Sequence, residues 1–133
     1  VRTYKTPKHF IIGHNRIDEE HSGLINALNE IINCINKNDL KGCEEKFGTF
    51  IQKFIDHDEN EKKIMIDLNF KDSKGHSQQH LIVFQEIKKQ KETCGNVADW
   101  EILCIKIFDH LVKTVFNHDL KFKSHLININ YKP

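Results

Sequence analysis

Residues 40–68 read LKGCEEKFGTFIQKFIDHDENEKKIMIDL, and positions 47, 50, 54, 57, 61, 64 and 68 within them are Phe, Phe, Phe, His, Glu, Ile and Leu. Steps of three and four residues trace one face of an α-helix. A histidine and a glutamate therefore share the stripe of phenylalanines that must form a core. Burying an ionisable group costs several kcal/mol (order of magnitude) unless it is paired or holds a metal. The same stretch thus predicts a long helix and a chemically active interior.

Similar stripes run outward from it. Positions 21, 24, 28, 31 and 35 are His, Leu, Leu, Ile and Ile. Positions 76, 80, 83, 84 and 87 are His, His, Val, Phe and Ile, and positions 103, 107, 111, 115 and 122 are Leu, Ile, Leu, Val and Phe. Turn-forming residues separate the stripes at 36–42, 69–75 and 94–96. The two prolines, Pro7 and Pro133, lie near the ends and break nothing between them. No segment alternates as a strand. The expected fold is all-α: an up-down-up-down antiparallel four-helix bundle, one domain over residues 1–133, with an arm at 1–16 and helices near 18–37, 40–68, 73–93 and 97–122.

Composition narrows the function. A formal net charge of +1 gives no electrostatic case for nucleic acid or an anionic membrane. No apolar run approaches the ~18–20 residues that span a bilayer, and Val1 to Phe10 is polar and basic rather than signal-like. The expectation is a soluble, cytoplasmic protein with no nucleic-acid, membrane or protein partner. Cys34, Cys43, Cys94 and Cys104 lack the close spacing of zinc or redox motifs, so free thiols are expected.

Nine histidines stand out. His21, His57, His76 and His80, with Glu61, fall on core stripes of three helices. His57–Glu61 and His76–His80 are i, i+4 pairs, whose β-carbons lie ~5–6 Å apart on one helix face. Two imidazoles so placed reach one metal ion, and a carboxylate beside a histidine can share its second oxygen with a neighbouring ion. Bundle-core di-iron sites are built from such inward groups. Phe47, Phe50, Phe54 and Phe84 read as core or pocket lining, Met65 and Leu68 as packing, Lys88, Lys89 and Lys91 as a solvated face, and His9, His14 and His125 as surface or loop residues.

These residues carry a family resemblance. IGHNRIDEEH at 12–21 resembles the hemerythrin opening, a glycine four residues before I-D-x-x-H. His57-x-x-x-Glu61 and His76-x-x-x-His80 resemble the second- and third-helix motifs, and the likeness covers roughly residues 6–126. In the fourth helix DLKFKSHL at 119–126 resembles the D-x-x-Y/F-x-x-F-L ending, which makes Asp119 a bridging ligand and puts Thr114 where the family has a histidine. LVKTV at 111–115, similar to L-V-N-H-I, supports that register. A second register makes His118 the ligand but leaves Lys123 at the bridging position. In the preferred register His118 is the better substitute for the missing histidine, with His110 behind it.

The resemblance implies two non-haem iron ions, carboxylate- and oxo- or hydroxo-bridged. His21 and His57 would hold one, His76 and His80 the other, and Glu61 and Asp119 would link them. It implies a dioxygen carrier or store rather than an enzyme, with the phenylalanines keeping water from the open iron position. Three rivals follow from Thr114 and from the family. One is a di-iron enzyme that reduces peroxide or nitric oxide, or oxidises iron, at an extra open position. Another is an oxygen- or redox-sensing module, disfavoured because the helices leave only residues 127–133. The last is a structural bundle that has lost its metal.

Overall fold

A computed structural model describes residues 1–133, with the side chains of His9, Ser73, Lys74, His76, Thr114 and Val115 outside the description. After a single 3-10 turn at Lys8–Phe10 come α1 (Asn15–Asn36), α2 (Leu40–Asp67), α3 (Ser73–Lys91) and α4 (Val97–His110). A π-helical stretch, Leu111–Phe116, then leads into α5 (Asn117–Asn128). No strand occurs among the described residues. The backbone stays helical through both junctions, with φ/ψ of −59°/−47° at Leu111 and −66°/−40° at Phe116. So α4, the π stretch and α5 form one fourth rod.

Local chemistry sets the ends. The His14 side chain caps α1 by accepting from the Ile17 amide. Asp18, in the first turn of α1, accepts from the amides of Ile12 at 2.9 Å and Gly13 at 3.1 Å. Its negative charge also suits the positive end of the helix dipole. Gly13 takes φ +90°, a conformation that a side chain would strain, so the arm turns into α1 there. Asp39 caps α2 through the Gly42 amide at 2.9 Å, and Asn96 caps α4 through the Asp99 amide at 2.9 Å. Asn38, Asn69 and Asn130 take positive φ just beyond α1, α2 and α5, the usual left-handed ending.

α1 packs on α2 and α4, and α3 packs on α2 and α4. The interior holds two apolar clusters. The larger includes Leu24, Leu28, Ile31, Phe50, Phe54, Val83, Trp100, Ile107 and Phe116. The smaller comprises Ile12, Ile17, Met65, Phe122 and Leu126. Between them, on each rod that spans both, stand ionisable residues: His21 between Ile17 and Leu24, His57 and Glu61 between Phe54 and Met65, Asp119 between Phe116 and Phe122. All four cysteines are free. Burial pushes the Cys43 thiol up to about 11 and Cys104 up to about 12, so both stay protonated and unreactive at neutral pH. No helix among the described residues is long and apolar enough to cross a membrane.

The fourth rod departs from the expected stripe. A continuous α-helix from 97 to 122 was the sequence expectation, with positions 111, 115 and 122 inward. Among the described side chains the buried positions include Phe116, five residues after Leu111 and across the π stretch, then Asp119, Phe122 and Leu126. The wider winding of a π turn absorbs one extra residue and resets the helical phase. Val115 lies outside the described side chains. The rod also continues to Asn128 rather than ending near 122.

Leu28, fully buried in the larger cluster, should lose about 2–5 kcal/mol of stability on substitution by alanine. Asp39→Ala, which removes one cap, should cost only about 1 kcal/mol. Urea unfolding of both variants checks the ordering. An Asp39→Ala loss as large as that of Leu28→Ala would contradict it.

Candidate metal centre

Four groups from three rods meet between the two apolar clusters. His21 of α1, His57 and Glu61 of α2 and Asp119 of α5 each offer a ligand atom, and these atoms all lie within 4.8 Å of one another. Both histidines are 2% exposed and both carboxylates 0%. His21 Nε2 lies 2.7 Å from Asp119 Oδ2 and 3.5 Å from Glu61 Oε2. His57 Nε2 lies 2.7 Å from Glu61 Oε2. The second Glu61 oxygen, Oε1, lies 3.6 Å from Nε2 of His80, itself buried on α3. Glu61 therefore turns one oxygen toward His21 and His57 and the other toward His80.

The helical phase explains the convergence. His57 and Glu61 are one turn apart, so both point inward from α2. The π stretch brings Asp119 inward, because it restarts the buried face at Phe116, one turn earlier. The ring of Phe116 lies 4.5 Å from that of His21, centre to centre, and Phe54 lies 5.9 Å from His80. Aromatic surfaces thus close the larger-cluster side of the group.

A further tier of polar groups faces the outer ring nitrogens. His57 Nδ1 lies 2.8 Å from Glu20 Oε1, and His80 Nδ1 lies 2.7 Å from Asp58 Oδ1. Asn60 donates to Glu20 Oε2 at 2.9 Å, and Arg16 Nε lies 3.4 Å from that same oxygen. Glu20, Asp58 and Asn60 were not among the sequence candidates. They flank ligand positions in the chain, and that adjacency was the only signal.

Electrostatics follow from this arrangement. Burial disfavours a charged His57 ring, but Glu61 and Glu20 outweigh it and carry the pKa up to about 10. Burial opposes charge on His21 too, and Asp119 and Glu61 outweigh it, so its pKa is raised. Burial pushes the Glu20 carboxyl up, and the bonds from His57 and Asn60 more than reverse that, holding it below its ordinary value. The Nε2 atoms of His21 and His57 are buried without a hydrogen bond of acceptable geometry, despite oxygens at contact distance. Buried imidazole nitrogens and carboxylate oxygens brought this close together match the donor set of a borderline transition metal such as iron, zinc or manganese.

Other sequence candidates lie elsewhere. His118 stands outside the four-residue group, with Nε2 3.8 Å from Asp72 Oδ2 and a side chain 15% exposed. His110 lies at the surface between α3 and α4, 3.2 Å from Glu86. His76 and Thr114 lie outside the described residues. His14 and His125, expected at the surface or in loops, have structural work: His14, in the loop before α1, caps that helix, and His125 Nε2 donates to the Leu68 carbonyl at 2.7 Å. A cleft of about 580 Å³ between the arm and α1, walled in part by Phe10, Ile11 and Asp18, reaches His21. A smaller one of about 210 Å³ reaches His80 past Phe54, Leu81 and Phe84.

Protons and a metal ion compete for the same imidazole nitrogens. With its pKa near 10 before an ion binds, His57 must release a proton on metal uptake at pH 7. Zinc titrations by calorimetry in two buffers of different ionisation enthalpy should differ by at least one proton per chain, and apparent affinity should weaken as pH falls. Identical heats in both buffers would contradict the assignment.

Comparison of the chain with family models, with curated proteins and with solved structures gives no match, so the reading of this group rests on its residues and their geometry.

Proposed function

We propose that this chain binds dioxygen reversibly, as a carrier or store, at a non-haem di-iron centre in the core of an up-down-up-down antiparallel bundle, in the manner of hemerythrins. The observation that carries the reading is the Glu61 carboxylate, with Oε2 toward His21 and His57 and Oε1 toward His80. A carboxylate divided between the imidazoles of His21 and His57 on one side and that of His80 on the other suits a pair of ions better than a single one. In this reading His21 and His57 hold one iron, and His76 and His80 hold the other. Glu61 and Asp119 would be the carboxylates shared by the pair, and His118 is the candidate for the place that Thr114 leaves.

When bound, a pair of ferrous ions supplies the electrons that make dioxygen binding both tight and reversible. The chain's own residues do the rest. Asp119 and Glu61 bring negative charge into a dry core and so favour cations there. Phe54, Phe116 and Met65 border the group with apolar surface and keep bulk water from it. The cleft at His21 gives a small molecule a path to that side of the centre.

Anaerobic reconstitution with ferrous iron should load two ions per chain. Air should then produce a visible band that bleaches on purging with inert gas. Uptake of a single ion would sink the di-iron reading. Two ions with immediate, one-way oxidation would replace the carrier by an enzyme acting on peroxide, nitric oxide or iron.

A further inference from the structure

The outer faces of two site histidines are held by acids that belong to neighbouring helices. Glu20 immediately precedes His21 on α1, yet its Oε1 meets His57 Nδ1 on α2 at 2.8 Å. Asp58 immediately follows His57 on α2, yet its Oδ1 meets His80 Nδ1 on α3 at 2.7 Å. Each acid therefore sits beside one inward histidine in the chain and grips the next one in space. Glu20 is itself gripped by Asn60, one residue before Glu61, at 2.9 Å, and by Arg16 at 3.4 Å.

A carboxylate accepts and cannot donate, so in both contacts Nδ1 carries the hydrogen. That leaves Nε2 as the nitrogen with a lone pair when the ring is neutral. In both residues Nε2 is the atom directed at Glu61, at 2.7 Å for His57 and 3.6 Å for His80. In a neutral ring the outer contact thus selects the tautomer whose Nε2 lone pair a metal ion at the centre would take. It also fixes the ring plane and makes Nε2 a stronger electron donor.

We propose that Glu20 and Asp58 are positioning residues for metal binding, linking α1 to α2 and α2 to α3 so that His57 and His80 present Nε2 to the centre together. This inference rests on the reading of the buried group as a metal centre. Because each brace starts next to a ligand on its own helix, displacement of one helix moves the ligand of the next.

The test uses the full chain and zinc, which needs no redox step, titrated against a competing chelator. Glu20→Ala and Asp58→Ala should each weaken zinc binding by ~10–100-fold. Glu20→Gln and Asp58→Asn keep an acceptor oxygen and should recover part of that loss. They also carry the test if an alanine variant fails to fold. In nitrogen-15 spectra of the zinc-loaded protein, the Nδ1–H signals of His57 and His80 should exchange slowly with water. Substitution at Glu20 should speed exchange at His57 alone, and substitution at Asp58 at His80 alone. After iron loading, the reduction potential should rise in all four variants, since each removes a negative charge from an imidazole partner. Zinc affinity equal to that of the starting chain in all variants would overturn the braces while leaving the centre intact. A loss of affinity with both Nδ1–H signals unchanged would overturn them as well, because the loss would then come from general destabilisation. A starting chain that takes up no zinc or iron would overturn both this inference and the reading beneath it.

Discussion

Two carboxylates buried at zero exposure against buried imidazoles are the constraint on which this bundle is organised. Removing an ion from water costs several kcal/mol even after relaxation. Opposite charges about 3 Å apart attract by on the order of 5 kcal/mol at an effective dielectric near 20. The two quantities are similar, so the polar layer adds little net stability by itself. Stability has to come from the apolar clusters on either side, Leu24 to Phe116 on one and Ile17 to Leu126 on the other. The layer is held in place by the clusters.

That division shapes each helix. α1 carries Ile17, His21 and Leu24 in successive turns, and α2 carries Phe54, His57, Glu61 and Met65. Both obey α-helical spacing through the polar layer. The fourth rod does not: five residues separate Leu111 from Phe116, and in an α-helix that step would rotate the side chain about 140° from the buried face. The π stretch removes the mismatch, and Asp119 reaches the layer with Phe122 following it into the smaller cluster. A wider turn is a poor use of backbone hydrogen bonds. Its position immediately ahead of a buried ligand-type carboxylate is consistent with the usual association of π turns and functional sites.

What could be read from the chain alone follows the same line. The all-helical fold and the inward placement of His21, His57, Glu61 and His80 were legible because periodicity carries through them unbroken. The π stretch was not, since a helix-period template applied to residues 97–122 hides a phase change inside it. It left Phe116, which is fully buried, off the inward stripe. Asp119 was placed through a likeness of motif rather than by periodicity, and the phase reset is the physical reason that it faces inward. Glu20 and Asp58 escaped notice because they sit beside the stripe, where acids are ordinary and solvated. Only the crossing of helices reveals that they reach ring nitrogens on a neighbour. His14 and His125 show the converse: both looked like surface residues, and their partners are backbone groups whose location depends on the turns.

Protons and cations are alternative occupants of one site, and the geometry treats them asymmetrically. The inner carboxylates, Glu61 and Asp119, raise the affinity of His57 and His21 for a proton, and the same charges would hold an ion. An inner nitrogen can take one or the other but not both. The outer contacts can persist through that choice, because Glu20 and Asp58 bond Nδ1, which keeps its hydrogen in either state. The orientation of His57 and His80 is then independent of what occupies the middle. Rings held in this way are pre-organised for any ion the group takes up, with the entropy of fixing them met on folding rather than on binding. Sequence changes that alter Glu20 or Asp58 would therefore affect the ion-binding state more than the folded state, whereas changes at Phe54 or Phe122 would do the reverse.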